Sequence, residues 1–378
     1  MSQVRSIQMV DLATQYQKIK AEVDDAVLNC IASTAYINGP AVKEFKKGLE
    51  TYLNVRHVIP CANGTDALQI ALMALDLQAG DEIIVPSFTY VATAEVIALL
   101  GLSPVMIDVD PEHFNITVDI VKNAITEKTK AIVPVHLFGQ STDMEPLMKL
   151  AKEHNLYVIE DNAQSIGADY TFSDGRTQKT GTIGHIGTTS FFPSKNLGCY
   201  GDGGAIFTND EELAAKLKMI ANHGQSKKYH HAVIGVNSRL DTIQAAILGV
   251  KLKKLDTYCD ARRKVADTYD RAFENIPGLQ TPKRFEQSTH VFHQYTMLVK
   301  NGKRDELRAY LQEQGIPSMV YYPIPLNEQD AFKGHGRVIG DLSVSKELCR
   351  SVLSLPIHTE MEEETQQTII QGVKIFYK

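Results

Sequence analysis

Lys195 is the residue with the plainest chemical promise, set in Ser190-Phe191-Phe192-Pro193-Ser194-Lys195-Asn196-Leu197-Gly198. It lies between an expected strand, Thr188 to Phe192, and the glycine run Gly201-Asp202-Gly203-Gly204. A lysine drawn out of water loses stabilisation of its charged form. Its pKa falls, and the neutral amine suits Schiff-base formation with an aldehyde. A surface lysine in a polar turn is the competing explanation of the same peptide.

Three other segments bear on that choice. Asn63-Gly64-Thr65-Asp66-Ala67-Leu68 opens a helical pattern, with Gly64 allowing a tight turn and Thr65 expected as the cap. A helix start of this kind offers free N–H groups and a dipole to a phosphate, although any capped helix reads alike. Pro86 to Thr93 follows an expected strand; Tyr90 is placed to stack on a planar ring, while Phe88 reads as core. Asp161 closes the apolar run Leu156 to Glu160, and Gln164 follows three residues later. A carboxylate there could hold a pyridine nitrogen protonated, or simply cap a helix. Taken together, a phosphate cradle, a stacking ring, a pyridinium carboxylate and a reactive lysine describe a pyridoxal-phosphate site.

Such groups need a scaffold that gathers them. Strand candidates Glu82 to Val85, Val105 to Val109, Ala131 to Val135, Tyr157 to Glu160, Thr189 to Phe192 and Ala205 to Thr208 alternate with amphipathic stretches such as Val118 to Ile125 and Met144 to His154. Near-continuous apolar strands with helices between them predict a mainly parallel α/β sheet, whose ligands collect beyond the strands' carboxyl ends. Asp241 to Phe273 reads as one long helical region, interrupted at most briefly. Ile276-Pro277-Gly278 ends it, and a smaller α+β unit follows, with Tyr295 to Val299 a strand and Arg304 to Gln314 a helix. The expected division is 1–255 for a large domain with an N-terminal helical segment and 256–378 for a small C-terminal domain.

Composition narrows the function classes. With 378 residues, 43% hydrophobic and 22% charged, the chain is an ordinary globular protein. A net charge of -6 without a long basic run gives nucleic-acid binding little support. Met1 to Ser6 leads into a polar helical pattern without a signal-peptide core, and no apolar stretch reaches membrane-spanning length, so a cytoplasmic location is expected. The five cysteines, Cys30, Cys61, Cys199, Cys259 and Cys349, are widely spaced and odd in number. That pattern suits a reducing compartment and argues against a zinc site; Cys61 and Cys199 read as packed side chains. A dehydrogenase would need a glycine-rich turn after the first strand, and no Gly-x-Gly-x-x-Gly occurs there.

Asn63 to Leu68, Pro86 to Thr93, Glu160 to Gln164, Ser190 to Ala205, Val236 to Asp241, Gly315 to Ser318 and Tyr321-Tyr322-Pro323 resemble the motifs of the DegT-type sugar aminotransferases. The resemblance spans nearly the whole chain. It implies a fold-type I pyridoxal-phosphate enzyme with a mainly parallel, seven-stranded-type sheet, assembled as a homodimer with shared active sites. It implies Lys195 as the amine that carries the cofactor and shuttles the proton, Asp161 on the pyridine nitrogen, Gln164 on the phenolic oxygen and Tyr90 over the ring. Gly64, Thr65 and Ser190 would hold the phosphate, with Asn237 reaching in from a second subunit. Arg239, Tyr321, Asn327 and His358 are the implied substrate contacts; a salt bridge to Asp241 is the alternative for Arg239. Asn327 stands where many members carry histidine, and Thr359 where proline is frequent. Some members replace the lysine with histidine and act as dehydratases, so lysine here implies transamination. Glutamate would supply the amino group and a keto nucleotide sugar would receive it. The stretch Phe191 to Gly204 is most similar to the branch aminating carbon 3, notably UDP-2-acetamido-2-deoxy-3-oxo-glucuronate aminotransferases; relatives acting on dTDP-3-oxo-6-deoxyhexoses share much of it. A non-catalytic sensor on the same fold is a further alternative.

Overall fold

The computed structural model describes residues 6–378, so all but Ser6 of the N-terminal stretch read above lies outside the described residues. The chain begins with two helices, α1 (Leu12–Ser33) and α2 (Pro40–Leu53). Pro40 occupies the first turn of α2, where its missing N–H costs nothing, and Val42, Phe45, Leu49 and Leu53 form its buried stripe. Then β1 (His57–Cys61), α3 (Gly64–Met73), β2 (Glu82–Pro86), α4 (Ala92–Leu99), β3 (Ser103–Ile107), α5 (Val118–Lys122), β4 (Thr129–Ile132), α6 (Met144–Glu153) and β5 (Tyr157–Asp161) alternate. A hairpin, β6 (Asp169–Thr171) with β7 (Thr177–Lys179), precedes β8 (Ile186–Ser190), β9 (Gly204–Thr208) and α7 (Glu211–Ile220). A second hairpin, β10 (Gln225–Lys227) with β11 (His230–His231), leads to α8 (Thr242–Leu252) and α9 (Leu255–Phe273).

The C-terminal part adds β12 (Leu279–Gln280), β13 (Tyr295–Val299), α10 (Arg304–Glu313), β14 (Arg337–Val338), α11 (Ser343–Ser351), β15 (Val352–Leu355) and α12 (Glu363–Phe376). Strands β12, β13 and β15 form an antiparallel sheet. Its core includes Tyr269, Phe273, Tyr295, Met297, Leu353 and Ile370.

The large sheet has the order β1-β9-β8-β5-β4-β2-β3-β14. It therefore holds eight strands rather than the expected seven. The addition is the two-residue β14, which comes from far along the chain and pairs parallel with β3. Pairing is parallel throughout β8, β5, β4, β2, β3 and β14, and antiparallel where β9 meets β8 and β1. Every residue of β2 and β9 is buried, as expected for strands covered on both faces.

Three strands begin and end earlier than their apolar runs suggested. The strands are Ser103–Ile107, Thr129–Ile132 and Ile186–Ser190, because register with their neighbours, not hydrophobicity, fixes the ends. Phe192, read as strand, lies beyond the end of β8 and is 53% exposed. The long helical region breaks between Leu252 and Leu255 without proline or glycine. Ala245 and Leu248 of α8 pack with α2, as do Leu255 and Cys259 at the start of α9, whereas Val265, Ala266, Tyr269 and Phe273 farther along α9 pack with the C-terminal sheet.

Candidate active site

The carboxyl ends of β1, β2, β5 and β8 meet at one edge of the sheet, and a cavity of about 510 Å³ opens there. Gly64, Thr65, Tyr90, Asp161, Gln164, Ser190, Lys195 and Tyr321 all line it, so eight of the expected site residues share one space. Asn237, Arg239, Asn327 and His358 do not line it.

At one end, α3 starts against β8. The cap is Asn63, whose Oδ1 accepts from the Asp66 N–H at 2.8 Å, and not Thr65 as its hydroxyl had suggested. Gly64 and Thr65 are thus the first two helical residues, whose N–H groups have no acceptor within the helix and face an anion well. The glycine is required by packing rather than by a turn. A Cβ on Gly64 would lie 2.7 Å from the Ser190 Cβ, and one on Gly204 would lie 2.4 Å from the Asn63 carbonyl oxygen. Missing side chains at these two positions let α3, β8 and β9 converge beside the Ser190 hydroxyl.

At the floor, Asp161 is the last residue of β5 and is buried. Its Oδ2 accepts from the Thr93 hydroxyl at 2.8 Å, and its Oδ1 from the Ala163 N–H at 3.2 Å. Both bonds fix the carboxylate's orientation at the strand end. The neighbouring Glu160, fully buried and on the opposite face, accepts from the N–H groups of Gly181 and Ile183 and from His136 at 2.8 Å. His136 Nδ1 in turn accepts from Thr142 N–H, so the imidazole carries its proton on Nε2 and donates it to Glu160. That network anchors β5 from behind.

Gln164 is more committed than expected. Its Oε1 accepts from Phe138 N–H at 2.7 Å and its Nε2 donates to the Tyr322 hydroxyl at 3.0 Å, leaving one amide hydrogen for a ligand. Tyr90 is 56% exposed at the cavity mouth, its ring centroid 6.2 Å from that of Tyr322, so a face is free for stacking. Phe88 is core, as read. Lys195 lies in the loop after β8, and its amine makes no hydrogen bond among the described residues. Burial lowers its pKa to about 8, while the nearby Asp161 carboxylate opposes the fall. A reactive amine is thereby available near neutral pH. All five cysteines are free and buried; burial raises the Cys199 thiol to about 11, in keeping with packing.

Four expected site residues stand elsewhere. Asn327 Oδ1 accepts from the Ser87 hydroxyl at 2.9 Å, tying the 326–328 turn to the end of β2. His358 is buried outside the cavity, its Nδ1 accepting from Glu360 N–H, and burial lowers its pKa to about 4. Neither side chain lines the cavity. Asn237 is exposed, and Arg239 makes no ion pair with Asp241 or with any other described residue. Thr93, His293, Gln294 and Tyr322 belong to the site but were not read from the sequence. Only Thr93 and Tyr322 lay inside quoted motifs, where a residue beside an expected contact was the available signal.

The residues fit pyridoxal phosphate at each point: unpaired N–H donors and a hydroxyl for an anion, a buried carboxylate, an exposed aromatic face and an amine of lowered pKa. Residues 17–374 match the DegT/DnrJ/EryC1/StrS aminotransferase family. The chain is 47% identical over 375 residues to a Geobacillus stearothermophilus protein named pleiotropic regulatory protein, covering 99% of each chain. It is 44% identical to the UDP-2-acetamido-2-deoxy-3-oxo-D-glucuronate aminotransferase of Pseudomonas aeruginosa, over 94% of this chain and 96% of that one. The structure of NtdA from Bacillus subtilis, with bound pyridoxamine phosphate, superposes with a TM-score of 0.88 at 31% identity, over 99% of this chain and 85% of that one. No helix among the described residues is long and apolar enough to cross a membrane. The cofactor is pyridoxal phosphate, and the chain belongs to the DegT/DnrJ/EryC1/StrS aminotransferase family.

Proposed function

We propose that this aminotransferase moves an amino group from glutamate to carbon 3 of UDP-2-acetamido-2-deoxy-3-oxo-glucuronate, in the cytoplasm, for surface polysaccharide synthesis. The observation that carries the reaction is the convergence of Lys195, Asp161 and the α3 start on one cavity. Support for the sugar comes from the Phe191 to Gly204 stretch and from the 44% identity to the P. aeruginosa enzyme.

When bound, pyridoxal phosphate supplies an electron sink for charge developing on the reacting carbon. Gly64 and Thr65 N–H groups and the Ser190 hydroxyl would hold the phosphate, and Tyr90 would cover the ring. Asp161, fixed by Thr93, would keep the ring nitrogen protonated, and the remaining Gln164 hydrogen would go to the phenolic oxygen. Nζ of Lys195, with its pKa near 8, would take the proton from the α-carbon of glutamate. In the second half-reaction it would deliver a proton to carbon 3 of the sugar.

The site would be completed in a homodimer, with Asn237 entering from the second subunit; that Asn237 is exposed and does not line the cavity of its own chain supports this. Mixing Lys195→Ala with Asn237→Ala protein would then restore activity in hybrid dimers, and failure to do so would count against the shared site. Offering the pyridoxamine-phosphate form UDP-3-oxo-glucuronate and dTDP-3-oxo-6-deoxyhexose substrates side by side tests the sugar. Amination of only the dTDP sugar would overturn the assignment. The regulatory name of the 47% identical relative favours one second reading, a cofactor-binding sensor. Cofactor binding without turnover on either sugar would support that reading instead.

A further inference from the structure

His293 lines the same cavity as Lys195 and is 5% exposed. Its Nδ1 is sealed in the protein without a hydrogen-bond partner. Nε2 is not among the sealed atoms and makes no bond to any described residue, so it is the nitrogen that can meet the cavity. Burial, with the positive charges of Lys195 and Arg262, holds this imidazole well below its ordinary pKa, and it stays neutral. The Lys195 amine, equally without a partner, opens onto the same space. One group is a donor with three hydrogens and the other a neutral ring with one usable nitrogen.

The chain around His293 is braced as a positioning element should be. Arg262 of α9 donates from Nη1 to the carbonyls of Phe292 at 3.1 Å, His293 at 3.3 Å and Ile357 at 3.0 Å. Val291 N–H donates to the Gly139 carbonyl at 2.8 Å. Gly139, at φ 117°, leaves no room for a Cβ, which would lie 2.8 Å from the Phe292 nitrogen and 3.0 Å from that of His293.

We propose that His293 is a positioning residue for Lys195: its Nε2 accepts a hydrogen bond from the lysine ammonium, directly or through one water, and aims the amine into the cavity. The charged and titratable groups that line the cavity with the pair are Tyr90, Asp161, Asp202, Tyr321 and Tyr322, and Arg262 of α9 bears on His293 from outside it. Asp161 is already held by Thr93 and Ala163, whereas the His293 imidazole has no other duty among the described residues. The inference rests on Lys195 being the reactive amine, but the test below needs neither cofactor nor sugar. Its failure would therefore leave that assignment standing.

The test is competitive acetylation of the full-length, cofactor-free protein with trace acetic anhydride across pH. The Lys195 peptide is quantified by mass spectrometry against the exposed Lys333. His293→Gln places an amide oxygen near the Nε2 position, whereas His293→Asn places its amide near Nδ1 and removes the acceptor. Losing the acceptor destabilises the ammonium, so the Asn variant should titrate Lys195 at a lower pH by roughly half to one unit. The Gln variant should stay close to wild type. A midpoint unchanged in both variants, or displaced equally in both, would overturn the proposal. A purely structural histidine would not separate the two amides in this order. Should His293→Asn fail to fold, His293→Ala is read by the same criterion. If both fail, labelling of wild-type His293 by diethyl pyrocarbonate decides: reactivity equal in Lys195→Ala and wild type would also overturn the proposal.

Discussion

Replacing Gly64 by alanine tests whether the phosphate end of the cavity depends on the convergence of α3 and β8. The new methyl would sit 2.7 Å from Ser190 Cβ and 3.2 Å from its Cα, roughly 0.7 Å short of ordinary contact with the nearer atom. Ser190 cannot retreat easily, because β8 is paired with β5 on one side and β9 on the other. The start of α3 must therefore move, carrying the two free N–H groups with it. Overpacking of this kind costs about 1–3 kcal/mol. If that cost appears in phosphate binding, affinity for pyridoxal phosphate falls roughly 5- to 150-fold. Titrating cofactor-free protein with pyridoxal phosphate reads the affinity, and a melting curve of the same sample separates global loss of stability. Placing the substitution on a Ser190→Gly background removes the closest contact and should shrink the effect. Binding within twofold of wild type, or an equal loss on both backgrounds, would refute the reasoning.

Four further outcomes are expected. Capture of pyridoxal phosphate by cofactor-free protein should quicken about tenfold per unit of rising pH and level off near pH 8, where an ordinary lysine would keep accelerating toward its own pKa. Asp161→Asn removes a charge that raises the Lys195 pKa, so stopped-flow traces should level off at lower pH. Arg337→Ala removes a bidentate pair to Glu82, both contacts at 2.8 Å, and should cost about 1 kcal/mol in urea unfolding after solvent screening of the partly exposed guanidinium. Arg337 holds the Glu82 carboxyl at about 2, so this contribution is present above the ordinary carboxylate value of 4.5 and lost as pH falls toward 2. The variant's stability should be flatter across that window. Gly249→Ala, inside α8 with nothing within 4 Å of the added Cβ, should raise the melting temperature through about 0.5–1 kcal/mol of helix propensity.

Legibility in the sequence followed the range of the interactions. Asp161 was readable because the end of its strand is written in its own apolar run, and the helix after Asn63 because its periodicity is local; Ser190 came from the motif, since the run around it pointed to a strand reaching Phe192. The cap was misassigned between neighbours: Asn63 and Thr65 have equally suitable side chains, and only backbone geometry selects Asn63. Strand ends slid where pairing with another segment, invisible in the run itself, decides the last bonded residue. His293 could not be found this way at all, since its role depends on Gly139 and Arg262, which bring the 291–293 segment to the cavity from elsewhere in the chain. Asn327 and His358 show the converse. Each was expected at the substrate from its place in a motif, yet each side chain makes a bond within the chain, Asn327 to Ser87 and His358 to Glu360.

The edge strand β14 has a consequence for the order in which this protein can be made. Arg337 meets Glu82 across 255 residues of sequence, and β3 has no neighbour on its outer side until that segment arrives. A ribosome therefore releases most of the large sheet with β3 bare, an apolar strand whose open backbone groups invite another nascent chain. Severing the chain near residue 255 would make that transient exposure permanent. The first 255 residues, expressed alone, should aggregate through this edge, and supplying a peptide that spans Arg337 and Val338 in trans should slow the process.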